Sequence, residues 1–336
     1  MSQALLSHAV TIAASARRTA GRARRGMEQL RTVPAFGGSG RGRPSLRPIH
    51  LSVIGGGTLN IAVPLPPGAE APEEAYLQVE RRNESRRVPL EVEPQWEGPT
   101  LLTATTALRH PRHDGPERPG LDVGDGLWQL TVVLVHRSGT ARRFAVLAPP
   151  APVSTGPTLA SSPSGGSGAV FRVMRSLDGL AMLKVTAPRA QAELTGFTVR
   201  WDRVTVRGRL IATAVPPASF TAEAVPRAGG AAVPVWTDWQ GDRFTFDVPF
   251  SAMTGAMAEG RKAAQRWDLR LRHGRTTLDI GRRLTDVRNP HKVLRTTFRT
   301  LALEDGTLLR VHPHLTGAGK ATVNCTIITT IEDGTR

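Results

Sequence analysis

From residue 49 onward, apolar residues recur at every second position in short runs bounded by Gly, Pro, Asp and Asn. Trp267, Leu269 and Leu271 alternate with Asp268, Arg270 and Arg272, and Phe244, Phe246 and Val248 alternate with Arg243, Thr245 and Asp247. A period of two with one polar face is the signature of antiparallel strands covering a core on one side. The same reading predicts strands at 49–54, 58–64, 75–82, 86–93, 127–136, 142–148, 195–201, 203–212 and 276–281. One stretch beyond the N-terminal region, about 250–264, reads as a helix. The expected class is all-β.

The strand pattern repeats. Val88-Pro89-Leu90, Trp96-Glu97-Gly98 and Leu127-Trp128-Gln129-Leu130 are echoed by Val233-Pro234-Val235, Trp239-Gln240-Gly241 and Arg266-Trp267-Asp268-Leu269. Upstream, Leu65-Pro66-Pro67 matches Val215-Pro216-Pro217. A shared pattern of this length implies an internal duplication. A Pro/Gly/Ser-rich stretch at 151–168 reads as a linker between the copies. The expected organisation is two tandem antiparallel β-sandwich domains of immunoglobulin type, at 48–150 and 169–290. The four recurring tryptophans, Trp96, Trp128, Trp239 and Trp267, are expected in the two cores, with Phe197, Val199, Val204, Val206, Phe244, Phe246, Trp267 and Leu269 together in the second.

A further recurrence pairs Phe171-Arg172 and Asp178-Gly179 with Phe298-Arg299 and Asp305-Gly306. Each Asp-Gly between apolar runs predicts a hairpin with a type I′ turn. Residues 291–336 therefore read as a partial third unit, a β-hairpin and a strand, that packs onto unit two or meets a partner.

Charge changes the picture most at the N-terminus. The chain of 336 residues carries a formal net charge of +16. Residues 1–48 hold nine Arg against Glu28, whereas 48–150 hold ten Arg against twelve acids. Residues 1–33 carry Leu5, Leu6, Val10 and Ile12 and read as a basic amphipathic helix or a basic tail, followed by a flexible spacer at 34–47. The region lacks the layout of a secretory signal, so a cytoplasmic protein is expected. On anionic lipid at the inner membrane face, Arg17, Arg18, Arg22 and Arg25 would each contribute about 1 kcal/mol.

Reaction chemistry is hard to find. Gly319-Lys320 is followed by Ala321 and lacks the spacing of a phosphate-cradling loop, and Ser39 and Ser167 do not form a nucleophile elbow. No Asp-x-Asp pair or His-Glu-x-x-His is present. His110, His113 and Asp114 share a Pro-rich loop, and His312 and His314 would share a strand face, but neither set shows a complete ligand shell. Cys325 alternates with Val323 and Ile327, which is a core pattern. No catalytic residue, metal or cofactor is expected.

Binding remains. Arg203, Arg207 and Arg209 on one strand, and Arg270 and Arg272 on another, would form a polyanion surface if the strands lay side by side, since guanidinium binds phosphate bidentately. A solvated sheet face in an Arg-rich chain is the alternative. Trp236, with no counterpart in the first unit, is the candidate for stacking on a sugar ring. Nucleic acid is a poor fit, because no aromatic-plus-basic platform is visible and the first unit is acidic.

The runs Trp267-Asp268-Leu269-Arg270-Leu271 and Leu278-Asp279-Ile280-Gly281-Arg282-Arg283-Leu284, following Phe244 to Val248, resemble the β-rich accessory regions of actinobacterial cell-envelope transferases associated with CDP-glycerol glycerophosphotransferases and glycosyltransferases. The resemblance covers about residues 170–290, with a fainter echo at 49–150. It implies a role in transferring glycerol phosphate or sugar to a teichoic-acid-like polymer at the inner membrane face, with a transferase enzyme as partner. The chain departs from that family in having no nucleotide-binding α/β domain and none of its catalytic His motifs. The expected function is therefore a non-catalytic accessory or scaffold, with a transferase, or a polyanion or nucleic-acid binding module, as the alternatives.

Overall fold

The computed structural model describes residues 44–66, 68–96, 98–114, 119–150, 156–159, 161–260, 263–303 and 306–330. The expected N-terminal basic helix falls outside them. The chain is all-β, as the alternation predicts, and among the described residues no helix is long and apolar enough to cross a membrane.

In chain order the strands are β1 (Ser45–Leu46), β2 (His50–Ile54), β3 (Thr58–Pro64), β4 (Glu74–Arg81), β5 (Glu84–Pro89), β6 (Glu91–Glu93), β7 (Leu101–Arg109), β8 (Leu121–Asp122), β9 (Gly126–Val135), β10 (Ala141–Val146), β11 (Val170–Arg175) and β12 (Ala181–Thr186). The second half comprises β13 (Gln191–Val199), β14 (Arg203–Ile211), β15 (Thr221–Pro226), β16 (Val233–Val235), β17 (Thr237–Gln240), β18 (Arg243–Pro249), helix α1 (Phe250–Glu259), β19 (Ala264–His273), β20 (Thr276–Gly281), β21 (Arg299–Ala302), β22 (Thr307–Leu315) and β23 (Ala321–Thr330).

The strand pairings of the two halves correspond. One sheet of the first half runs β2-β3-β7-β6, and its counterpart runs β13-β14-β18-β17. In the facing sheet, β4 pairs both β5 and β9, as β15 pairs both β16 and β19. A parallel pairing stands at a corresponding place in each half, β1 with β10 and β13 with β20, and in the second half it joins the two sheets. In the second half a bulge between Leu194 and Gly196 lets a single strand, β13, play the parts of both β1 and β2.

The hairpin after the linker belongs to the first half. β9 has ten residues, and β10 covers only Thr131 to Val135 on one of its edges. The remaining edge, Gly126 to Gln129, would be left with open backbone groups, and β12 fills it in the register Met182↔Gln129 to Val185↔Gly126. Phe171, Leu183 and Val185 from this hairpin are buried in the first core with Trp128. Unit two repeats the device. β20 covers Arg270 to His273 of β19, and β23 covers Ala264 to Asp268. The C-terminal strands thus close unit two's sheet, and Leu309, Val311, Val323 and Cys325 enter its core.

Val204, Val206, Phe244, Phe246, Trp267 and Leu269 are buried in that same core, with Phe197 and Val199 packed against it. Trp96 departs from expectation: it lies in the loop after β6 and is 99% exposed, because the β6–β7 connection leaves the sandwich before it. The turn of the hairpin after the linker also differs from type I′. Gly179 has φ 82° and donates its amide to Ser176 O, while Ser176 donates to Leu180 O, and Asp178 keeps an ordinary backbone. That is a type I turn closed by a glycine bulge, needing one residue at positive φ rather than two.

Candidate functional site

Two concavities flank the β13-β14-β18-β17 sheet of unit two. The larger, a groove of about 440 Å³, sits where the chain crosses from β16 to β17 and is lined by Trp236, Val235, Asp238, Asp247, Pro249 and Ala252, among others. Trp236 occupies the one residue of that crossover and is 90% exposed. Its neighbours explain why: Val235 points into the core in one sheet, Thr237 pairs Phe246 in the other, and the side chain between them has no interior to enter. Asp247 is held by Thr205, whose hydroxyl donates to Oδ1 at 2.6 Å, and by Arg203 Nε at 3.1 Å. Asp238 is exposed beside it on the edge strand.

A second exposed tryptophan stands at the same end. Trp201 is 67% exposed in the β13–β14 turn, where the amide of Phe250, next to the groove residue Pro249, donates to Asp202 O at 2.8 Å. Trp201 continues the alternation of Phe197 and Val199 at the end of the run read as a strand at 195–201, so a period-two reading groups it with the core positions and not with an exposed turn.

The smaller concavity, about 220 Å³, is lined by Glu193, Thr195, Gly208, Arg209, Arg243, Arg282 and Leu284. Glu193 is buried, and its Oε2 accepts the amides of Arg283 at 2.9 Å and Leu284 at 3.2 Å. Burial pushes its carboxyl pKa up, against the pull of those amides and of Arg282 and Arg209.

The five arginines read as a polyanion face separate. β14 lies between β13 and β18, whereas β19 lies between β15, β20 and β23 in the facing sheet, so Arg203, Arg207 and Arg209 do not adjoin Arg270 and Arg272. Arg270 pairs with the buried Glu223, and Arg272 Nη1 lies 3.9 Å from the same carboxylate. Arg203 is bracketed by Asp202 at 2.8 Å and Asp247. Arg209 donates to Gly165 O. Arg207 is exposed. The remaining charge is thus concentrated at one end of β14 and β18. Arg17, Arg18, Arg22 and Arg25 lie outside the described residues.

The histidine sets fold locally. The amide of His110 donates to Asp114 Oδ2 at 2.7 Å, its ring lies 5.0 Å from that of His113, and Asp125 approaches its Nε2 at 3.5 Å. Burial, with help from His110, depresses the His113 pKa. His312 and His314 do share a face, with stacked rings 4.9 Å apart, and His312 Nε2 meets Thr296 O at 2.9 Å. Among the described residues no three His, Cys, Asp or Glu side chains converge as a metal site. Cys325 is buried against Met253 Sδ, and burial pushes its thiol up to about 12, far from a nucleophile at neutral pH.

No protein-family model and no curated protein matches the chain. Among solved structures, Staphylococcus aureus TarS is similar at 12% identity and a TM-score of 0.33. The match covers 47% of this chain and 44% of a TarS chain spanning residues 217–571, and 48% of this chain and 28% of a longer TarS chain. The chain thus spans less than half the length of either. Similarity at that level carries no argument about activity.

Proposed function

We propose that this protein is a non-catalytic tandem β-sandwich module that holds a cell-envelope glycan polymer for a partner transferase, with the polymer seated in the Trp236 groove. The observation that carries the reading is an indole 90% exposed beside the carboxylates of Asp238 and Asp247. An aromatic face takes the apolar face of a sugar ring, and the flanking carboxylates accept its hydroxyl hydrogen bonds. Trp201 extends the platform across Pro249. The basic residues before the spacer, Arg17, Arg18, Arg22 and Arg25 among them, would keep the module at anionic lipid on the cytoplasmic side.

The test is binding of a sugar-bearing, teichoic-acid-like polymer to the full chain, alongside incubation with CDP-glycerol or nucleotide sugars. Saturable binding that falls about tenfold in Trp236→Ala, with no turnover, supports the reading. Sustained product formation would overturn the non-catalytic assignment, and unchanged binding in Trp236→Ala would remove the groove from it.

A further inference from the structure

We infer that the cleft at Glu193 is a phosphoryl-oxyanion site, in which Arg209, Arg243 and Arg282 converge on one phosphate group. The site stands apart from the Trp236 groove and does not rest on a glycan binding there.

Arg209 and Arg243 are directly opposed in the register of β14 and β18, and like charges in that position destabilise a sheet. Several other guanidiniums of unit two are answered by acids. Arg203 has Asp202 and Asp247, Arg270 and Arg272 have Glu223, and Arg227 has Asp268 at 2.5 Å. Arg243 has no acidic partner among the described residues. The one carboxylate in the cleft, Glu193, is turned to the backbone amides of Arg283 and Leu284, and its closest cation is Arg282 Nε at 3.7 Å. Three guanidiniums against one carboxylate leave the cleft with an excess of two positive charges.

The cleft is also ordered in advance. Arg282 is anchored by Nη1 to Leu194 O at 2.9 Å, and Arg209 by Nη2 to Gly165 O. Each keeps further N–H groups free, and Arg282 Nε is buried without a hydrogen-bond partner. A tetrahedral oxyanion supplies the missing acceptors: two oxygens for the guanidinium forks and a third for Arg243. A phosphate monoester, as in a nucleotide or sugar phosphate, and a polymer phosphodiester share this chemistry.

Calorimetric titration of the full chain at low salt tests the site, with inorganic phosphate, glucose 1-phosphate and a phosphodiester oligomer as probes. Saturable binding of at least one probe is expected. Arg243→Ala, whose side chain holds no structural bond among the described residues, should weaken it about tenfold, in line with the loss of one charge-assisted hydrogen bond. Glu193→Gln keeps an oxygen for the two amides while removing the negative charge, so it should tighten binding, an effect no merely structural role would produce. Arg270→Ala, on the facing sheet, should leave binding unchanged, and inorganic phosphate, which carries no sugar ring, reports this site independently of the groove. Preference for the monoester identifies a small phosphate ester as the ligand, and preference for the diester identifies the polymer. Absence of saturable binding, or equal weakening by Arg243→Ala and Arg270→Ala, would reduce the cleft to part of a diffuse positive field and overturn the proposal.

Discussion

The two halves share a strand plan and differ on their outer faces. In unit one, β3 and β7 carry a single Arg, at the end of β7, and most of the other outward positions are Thr, Asn and Ala. Those side chains satisfy one another: Thr105 donates to Asn60 at 2.7 Å, and Thr103 to Glu93 at 2.6 Å. In unit two, the equivalent β14 and β18 carry four Arg and one Asp. Where the first chain crossing between sheets passes into Glu91, the second presents Trp236. Inward positions in both halves answer to packing, and both place a tryptophan, Trp128 and Trp267, fully inside. A sandwich can change its outer face without cost to its core, so the candidate sites fall on one half.

The sharpest way to break this correspondence is at the hairpin that follows the linker. Phe171→Ala should cost about 3–5 kcal/mol and act on unit one, because Phe171 is buried in its core. Cys325 is the only cysteine and lies in unit two, so its labelling by a thiol reagent reports that unit alone. Labelling in Phe171→Ala should stay slow below the melting range while global stability drops. Rapid labelling would place the hairpin's contribution in the wrong half.

The two buried tryptophans offer a finer comparison. Trp128 Nε1 donates to Gly124 O at 2.8 Å, whereas Trp267 Nε1 is buried without a partner. Replacement by Phe costs packing in both, but only Trp128→Phe also strips an acceptor of its donor. Denaturant unfolding should show Trp128→Phe to be the worse by about 1–2 kcal/mol. Equal losses would mean that the two interiors are polar to the same degree.

Glu193 makes unit two pH-dependent. Its folded pKa is raised above 4.5, so between 4.5 and that folded value the native state holds a proton that the unfolded chain has released. Stability therefore declines as pH rises through this window and levels off once the folded carboxyl has ionised. Glu193→Gln should flatten this part of the pH profile and be the more stable protein at neutral pH. A steeper profile in the variant would reverse the sign of the burial effect. The smallest change is expected for Arg207→Ala, an exposed outward position, where thermal unfolding should move by no more than about 0.5 kcal/mol.

Most of the strands and the helix at α1 were legible in the residues themselves, because period two and turn glycines are local properties that one buried face imposes on its own strand. Which half owns a hairpin was not. The linker composition at 151–168 separates two sequence blocks, yet the open edge of β9, created by the short reach of β10, draws Val170–Thr186 back across it. Trp96 and Trp128 likewise look equivalent to Trp239 and Trp267 in spacing, but spacing does not say where a loop leaves the sandwich. The arginine candidates show the same division. Alternation put Arg203, Arg207, Arg209, Arg270 and Arg272 on outward faces, while strand order decided that they occupy two sheets, that Glu223 and Asp247 neutralise three of them, and that Arg209 meets Arg243, Arg282 and Glu193. Those last neighbours come from strands far apart in the chain, and only backbone pairing across the sheet brings their charges within reach of one ligand.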